Sequence, residues 1–248
     1  MFTSSPDWLY KYKDDNVNYL SDTKSYINSD YFDSKIKDVR EDKMKAYQKI
    51  DVLDKVASFC GTDRKTCENN KDCSGGAQYL LKNIDGHFWA KIFNLCVDIK
   101  TYLSSINQTY FKGKTIEDRE NNGFQAFCAD MWAILFSLWA EGRMVITPEE
   151  MNFSHSTDKI EKWKQNGIYH DAGAPRGPHI VEGKEYWLFY KKGSYVENEK
   201  EKGFNIEYTG EWGQALTPFE DYLGYVSPEF TSYNYVKEIL LTKQYLEK

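Results

Sequence analysis

The chain has 248 residues, of which 41% are hydrophobic and 16% aromatic, and its formal net charge is −6. This length and this hydrophobic share are typical of a globular protein with a substantial core, and they exclude disorder as the overall state. Lys and Arg are spread thinly, which argues against non-specific nucleic-acid binding. The 19 tyrosines favour flat polar ligands such as sugars and bases, which stack on aromatic rings.

The apolar runs and the N-terminal segment bear on where the protein resides. No apolar run reaches the roughly 18 residues that a membrane-spanning helix needs. The first residues, MFTSSPDWLYKYKDD, lack the basic start and the apolar core of a signal peptide. We therefore expect a cytoplasmic protein without a membrane partner.

The five cysteines form no CxxC pair, and their number is odd. Three of them lie in the polar segment CGTDRKTCENNKDC, where a zinc site would need a fourth ligand from elsewhere in the chain. We expect reduced thiols rather than a disulfide framework or a zinc site.

The first predicted strand covers residues 17–20 and runs into Ser21-Asp22-Thr23. A carboxylate that directly follows a buried strand stands where α/β folds place ligand-binding groups. The alternative interpretation is an aspartate that only forms a turn. Asp22 is therefore the first candidate site residue.

Apolar residues recur at intervals of three and four from Ser34 to Phe59, while charges fill the other face. This pattern predicts one helix over that range. Gly61 follows it, and glycine is the usual residue just beyond a helix end.

A second group of elements follows a polar loop. Gly75-Gly76 permits a close approach of the backbone, and Ala77–Leu81 has the composition of a short buried strand. We expect a turn over Lys82–Gly86 and an amphipathic helix over His87–Ile106.

The segment Gly123–Thr147 is predicted to be the central helix of the fold. Asp130 lies at the margin of its apolar stripe. It is either a boundary aspartate that hydrogen-bonds to a neighbouring loop or a functional carboxylate. At 100° per residue, the stripe contains Phe124, Phe127, Cys128, Met131, Ile134, Leu135, Leu138 and Trp139.

The last third of the chain contains short extended pieces and a final helix. Met144–Ile146 is a predicted strand. The segment Ile168–Ala174 is predicted to be a strand followed by a sharp turn, with His170 at the carboxyl end of the strand. A hairpin is expected to start in Glu185–Tyr190, and a helix over Ser232–Leu246. No linker divides the chain, so we predict a single α/β domain over residues 1–248, with a mixed central sheet flanked by helices.

Four features occur in one order along the chain: a strand that ends in SDT, the segment GGAQYLLKNID, the helical ADMWAILF with ITPEEMNF after it, and IYHDAGA. This order resembles the retaining family-8 type of GT-A glycosyltransferase, the group that includes glycogenin. The resemblance covers roughly residues 17–174 and rests on order and spacing rather than on long identical strings. It implies a GT-A-like fold and a glycosyltransferase that moves a sugar from a nucleotide-sugar donor to a hydroxyl acceptor.

The resemblance also implies roles for individual residues. A divalent cation, Mn²⁺ or Mg²⁺, would be held by Asp22 and His170 and would neutralise the diphosphate of a UDP- or GDP-sugar. Asp130 would be the catalytic carboxylate that orients the donor sugar or steadies its cationic transition state. The remaining donor-binding residues would be Gly75, Gly76, Gln78 and Gly173.

The acceptor would be a saccharide, a protein or a modified-base hydroxyl. Exposed rings could form its platform, because sugars stack on aromatic side chains; ordinary core packing is the alternative for the same residues. The aromatic residues concerned are Trp187, Phe189, Tyr190 and Trp212.

Two departures from the family pattern leave alternatives open. The metal motif is reduced to Ser21-Asp22-Thr23, and about twenty residues precede it, whereas the GT-A plan places about a hundred residues of nucleotide-binding structure there. We therefore expect a fold shortened at its N-terminus, a metal motif lost with the missing half, or a different family.

Two further functions compete with the glycosyltransferase. One is a non-catalytic α/β module that binds a carbohydrate or a partner. The other is a cysteine hydrolase with Cys73 as nucleophile and His170 as base. A nucleophilic cysteine is expected at the head of a helix that lowers its pKa, whereas glycines and a strand-like segment follow Cys73.

Overall fold

The computed structural model describes residues 2–170, 179–186 and 227–246. Their contacts divide the chain into two compact units, which are described separately. The central unit is Tyr10–Met151, and the terminal unit joins Met1–Leu9 to Asn152–Lys248. The protein is mixed α/β, as predicted, whereas the single domain over residues 1–248 stays a prediction.

The central unit contains three strands and eight α-helices among the described residues, with short 3₁₀ segments between them. The 3₁₀ helix Pro6–Tyr12 includes the first residue of this unit, Tyr10. In chain order the elements are β1 (Asn18–Asp22), α1 (Lys24–Ile27), α2 (Ser29–Ser34), α3 (Met44–Tyr47), α4 (Val52–Phe59), α5 (Arg64–Asn69), β2 (Gly75–Leu80), α6 (Gly86–Tyr110), α7 (Ile116–Asn122), α8 (Ala129–Ala140) and β3 (Val145–Ile146).

The three strands form one mixed sheet in the order β2-β1-β3. Strand β1 lies antiparallel to β2 and parallel to β3. The register of β1 and β2 shifts between Leu20 and Ser21, a local irregularity that pairs Asp22 with Gly75. The mixed sheet agrees with the predicted fold class, and β2 begins two residues before the predicted Ala77–Leu81.

Helix α8 is the centre of the core, as expected, but it is not amphipathic. Every residue from Met131 to Trp139 is buried, so the helix is enclosed around its whole circumference. Its longest neighbour is α6, whose buried stripe packs against it. The Trp132 indole donates a hydrogen bond to the Ile27 carbonyl at 3.1 Å, which satisfies the polar group of this fully buried ring.

The prediction of one helix from Ser34 to Phe59 is wrong. That range contains the 3₁₀ segments Lys35–Asp38 and Glu41–Lys43 before α3 and α4. Val39 forms a bridge to Phe111, and the Arg40 amide donates to the Tyr110 carbonyl at 2.9 Å. These long-range contacts hold Val39 and Arg40 in extended backbone, and they outweigh the local helical periodicity.

A buried asparagine joins α6 to the approach of α8. The Asn107 amide donates to Phe124 O at 2.9 Å and to Glu120 Oε2 at 2.7 Å, and its oxygen accepts from Phe124 N at 2.8 Å. A Cβ at Gly123 would lie only 2.1 Å from Asn107 Oδ1, so this approach needs a glycine. Asn107 therefore fixes the chain that leads into the central helix.

The terminal unit contains two short strand pairs and two helices among its described residues. Strands β4 (Phe153–Ser154) and β5 (Ile168–Tyr169) are parallel and are joined through α9 (Glu161–Gln165). Strands β6 (His179–Val181) and β7 (Lys184–Tyr186) form a hairpin, which begins before the predicted segment Glu185–Tyr190. The predicted final helix is present as α10 (Thr231–Leu246).

Within the described residues no single helix is both long enough and apolar enough to cross a membrane. The segments Ile116–Asn122 and Ala126–Ala140 reach that length and apolarity only together, and they are bent by 62° at their junction.

Candidate functional site

The end of β1 brings four of the predicted site residues together in the central unit. Asp22 is the last residue of β1 and is paired with Gly75, and Ser21 is paired with Gly76. The Ser21 hydroxyl lies 2.6 Å from Gln78 Oε1. Asp22, Gly75, Gly76 and Gln78 therefore lie on two adjacent strands of the sheet.

Gly75 and Gly76 are buried, and the space beside each is filled by the protein itself. A Cβ at Gly75 would lie 2.6 Å from Ser21 O, and one at Gly76 would lie 2.3 Å from Met131 Cε. The glycines therefore allow β1 and α8 to approach β2 closely. Their predicted role in lining a donor pocket stays a prediction, because the contacts that require glycine are intramolecular.

The Asp22 carboxylate is engaged locally. It forms an ion pair with Lys24 Nζ at 2.9 Å and accepts from the Lys24 amide at 3.1 Å. The hydrogen bond to Asp22 raises the pKa of Lys24. A metal ion at Asp22 would have to compete with this ammonium group. Among the described residues no group of three or more His, Cys, Asp or Glu side chains is arranged to hold a metal ion.

Asp130 lies in the first turn of α8 and is exposed, rather than at the margin of an apolar stripe. A 3₁₀ segment over Ala126–Cys128 precedes the helix and breaks its phase, and Phe127, predicted to be buried, is 77% exposed. Burial and, secondarily, the charge of Asp130 raise the pKa of Cys128 to about 12 and raise the pKa of Cys96. Asp130 thus places negative charge beside α6 and the start of α8.

Three buried hydroxyls in this region make no hydrogen bond to the residues that the structure describes: Thr23, Ser74 and Tyr79. Thr23 directly follows Asp22, and Ser74 directly precedes Gly75. Burial and then the charge of Asp130 raise the pKa of Tyr79. A buried hydroxyl without a partner needs an explanation, such as a bound water or a ligand.

Other buried hydroxyls of this kind lie inside helices, at Ser29, Ser137 and Ser232. Ser137 can reach the carbonyl of the preceding turn of α8 after a rotamer change, whereas Ser29 and Ser232 stand in the first turn of their helices. Thr23, Ser74 and Tyr79 lie outside helices, on or next to the paired strands β1 and β2. Within the central unit, the unpartnered hydroxyls outside helices therefore all belong to this strand pair.

All five cysteines are free thiols, as expected. Burial raises the pKa of Cys60 and of Cys67 to about 12, which keeps both thiols protonated. Cys73 ends the 3₁₀ segment Lys71–Cys73 and is followed by Ser74 and β2. No helix begins at Cys73, so the local structure does not supply the feature that activates a nucleophilic cysteine.

Two open depressions of about 530 and 500 Å³ lie beside the start of β3 and share Gly142, Arg143 and Met144. The Arg143 guanidinium is used within the protein, since it donates to Glu141 Oε2 at 2.7 Å and to Lys82 O at 3.0 Å. Cys73 lines the second depression, whereas Asp22 and Asp130 line neither.

The other predicted metal ligand, His170, belongs to the terminal unit and directly follows β5. Its ring lies beside that of His155, with 6.0 Å between the ring centres. The sequence prediction did not include His155. Each histidine directly follows a two-residue strand, in Phe153-Ser154-His155 and Ile168-Tyr169-His170, and this repeated pattern was the available signal.

The remaining predicted site residues lie outside the described residues. They are Gly173 of the donor site and the aromatic residues Trp187, Phe189, Tyr190 and Trp212 of the acceptor platform. Comparison with known protein families, with curated proteins and with solved structures found no match to the chain.

Proposed function

We propose that the protein is a glycosyltransferase that moves a sugar from a UDP- or GDP-sugar to a hydroxyl acceptor with the help of a divalent cation. The observation that carries this proposal is the set of unpartnered buried hydroxyls of Thr23, Ser74 and Tyr79 around the end of β1. They lie on or next to the two strands that contain Asp22 and the predicted donor residues.

The chemistry of these groups suits such a donor. Hydroxyls can donate to phosphate oxygens and can both donate to and accept from sugar hydroxyls. Asp130 is exposed in the first turn of α8, and its neighbour Met131 packs on Gly76 of β2. A carboxylate there can orient sugar hydroxyls or stabilise developing positive charge, an effect worth roughly 3 kcal/mol for a preorganised group.

Calorimetric titration of the full chain with UDP and with GDP, each with Mn²⁺, tests donor binding. We expect saturable binding at ligand concentrations on the order of a millimolar or below. Ser74→Ala should weaken it about tenfold, because one hydrogen bond contributes about 1 kcal/mol or somewhat more. Ser29→Ala removes an equally unpartnered hydroxyl from α2 and is the matched control. Absence of binding in the wild-type protein would remove the main support for the proposal.

Asp130→Asn tests the catalytic role. We expect an intact fold by circular dichroism and at least about a hundredfold loss of sugar transfer, since a preorganised electrostatic group is lost. Asp98→Asn removes another exposed carboxylate, on α6, and should retain activity. Retained transfer in Asp130→Asn would contradict the assignment.

A non-catalytic binding module is the second candidate, and two observations favour it. Asp22 is already paired with Lys24. In addition, Trp89, Phe93 and Val97 recur every fourth residue along α6 and are 48%, 71% and 52% exposed, which makes an apolar stripe available to a partner. This function predicts that Asp130→Ala and His170→Ala leave ligand binding and biological activity unchanged.

A further inference from the structure

Strands β4 and β5 deliver two histidines to equivalent positions. The parallel register pairs Phe153 with Ile168 and Ser154 with Tyr169. His155 and His170 follow in the same register, and the His170 amide donates to the Ser154 carbonyl at 2.9 Å. Because adjacent parallel strands project side chains of the same register to one face of the sheet, the two imidazoles meet at its carboxyl end.

The rings contact each other through a shared aromatic neighbour. The ring centres of His155 and His170 lie 6.0 Å apart with their planes at 80°. The Phe153 ring lies 4.8 Å from the His155 ring and 5.3 Å from the His170 ring. Both histidines are only partly buried, so solvent and small ligands can reach them.

The backbone of His155 is held by hydrogen bonds from both sides. Its amide donates to Asp158 Oδ2 at 2.8 Å, and its carbonyl accepts from the Thr231 hydroxyl at the start of α10. The Thr231 amide also donates to the Asp158 carbonyl, at 2.9 Å. The position of this imidazole is therefore set by the fold rather than by a free loop.

We propose that His155 and His170 together bind one divalent transition-metal ion. With metal–nitrogen bonds of about 2.1 Å, a ligating ring centre lies roughly 3.2 Å from the metal, so two ligating rings have centres roughly 5 to 6.4 Å apart. The observed separation falls within that interval.

The donor set selects the class of metal. Imidazole nitrogen suits Zn²⁺, Co²⁺, Ni²⁺ and Cu²⁺, whereas Mg²⁺ prefers oxygen ligands and retains its water. Among the described residues the two histidines fill two coordination positions, and water or an anionic group of a ligand can fill others. Because both histidines belong to the terminal unit, the two-histidine site stands independently of the glycosyltransferase proposal.

A titration of the full chain with Co²⁺ in the absence of nucleotide tests the site, because ligand-field absorption reports directly on coordination. We expect one saturable site per chain, displaced by Zn²⁺ but not by Mg²⁺. His155→Phe and His170→Phe keep a ring against Phe153 but cannot bind metal. Each should weaken Co²⁺ binding at least about tenfold, the loss that even second-shell partners of metal ligands cause.

His87→Phe, which changes a histidine of α6, is the matched control and should bind Co²⁺ as the wild type does. Circular dichroism of each variant separates loss of the site from loss of the fold. Wild-type affinity in a folded His155→Phe variant would overturn the proposal, and so would the absence of a saturable site in the wild type. Nucleotide binding is measured separately, so either proposal can fail while the other stands.

Discussion

Asp22, at the end of the strand pair β1–β2 in the central unit, and His155, at the end of β4–β5 in the terminal unit, are held in different ways. At the first, Asp22 is paired with Lys24, and the Ser21 hydroxyl lies near Gln78 Oε1 and 2.8 Å from Met151 O. At the second, His155 and His170 face each other, and the hydrogen bonds that hold His155 come from its backbone.

The difference shows that a polar residue at a strand end is not by itself a binding site. Where side chains already pair with each other, as Asp22 does with Lys24, a ligand must displace the existing partner. Its net binding free energy is then only the difference between the new interaction and the lost one. Where the printed hydrogen bonds are made by the backbone, as at the His155 amide and carbonyl, an ion can bind the imidazole without breaking those bonds. Three changes test this contrast, beginning with the largest expected effect.

Gly75→Ala should destabilise the central strand pair. The new methyl group would lie 2.6 Å from Ser21 O and 2.7 Å from Leu20 Cβ, so the strands must separate. We expect a loss of about 3 kcal/mol in the free energy of unfolding, measured by urea denaturation. In Gly86→Ala the added Cβ meets nothing within 4 Å, and stability should change by less than about 1 kcal/mol. Unchanged stability with weaker nucleotide binding in Gly75→Ala would instead assign the glycine to the donor pocket.

Thr231→Val should destabilise the strand pair β4–β5 and the two histidines that follow it. The substitution keeps the shape of this buried side chain but removes the hydroxyl that donates to His155 O. We expect a cost of about 1 to 2 kcal/mol, because the carbonyl loses its partner. Hydrogen exchange should show faster exchange at the His170 amide, and Co²⁺ affinity should fall. Thr242→Val removes an exposed hydroxyl that bonds to Glu238 O within α10, and should affect neither measurement.

Lys24→Ala should change stability least. Its ion pair with Asp22 is partly exposed, with 46% of the Lys24 side chain and 33% of the Asp22 side chain accessible, so the loss should stay below about 0.5 kcal/mol. Removing the ammonium should raise Mn²⁺ affinity at Asp22 about fivefold, because the repulsion between the two cations is about 1 kcal/mol in water. Spin resonance of Mn²⁺ in a His155→Phe, His170→Phe background measures this change. Equal affinity with and without Lys24 would show that Asp22 does not bind the ion.

Much of the fold could be predicted because its strongest signals are local. The strand before Asp22, the helix now seen as α6, the buried α8 and the final helix follow from apolar periodicity and length. The helix predicted over Ser34–Phe59 failed because Val39 and Arg40 pair with residues near Phe111, a long-range contact that periodicity does not reveal. The prediction that Phe127 lies in the core was wrong for a similar reason. A 3₁₀ segment precedes α8, so the helical projection does not apply to Phe127.

The candidate site was predictable only in part. The sequence pointed to Asp22 and His170 at strand ends, and both lie there. It could not reveal that Lys24 neutralises Asp22, since the geometry of a turn decides that pairing. It also did not indicate that His155 lies beside His170, because their proximity depends on the parallel register of two two-residue strands that are separated by α9.

The enclosure of α8 has a thermodynamic consequence for Asp130. Side chains pack around the whole helix from Met131 to Trp139, so the backbone that carries the carboxylate cannot rotate or shift without disturbing the core. A molecule that binds Asp130 would restrict only the two side-chain torsions of that residue. The backbone is already ordered in the folded protein, so binding would carry no further entropy cost for ordering it. Recognition at this position would be preorganised, and a conformational response to such a ligand would have to arise in the segments that surround the helix.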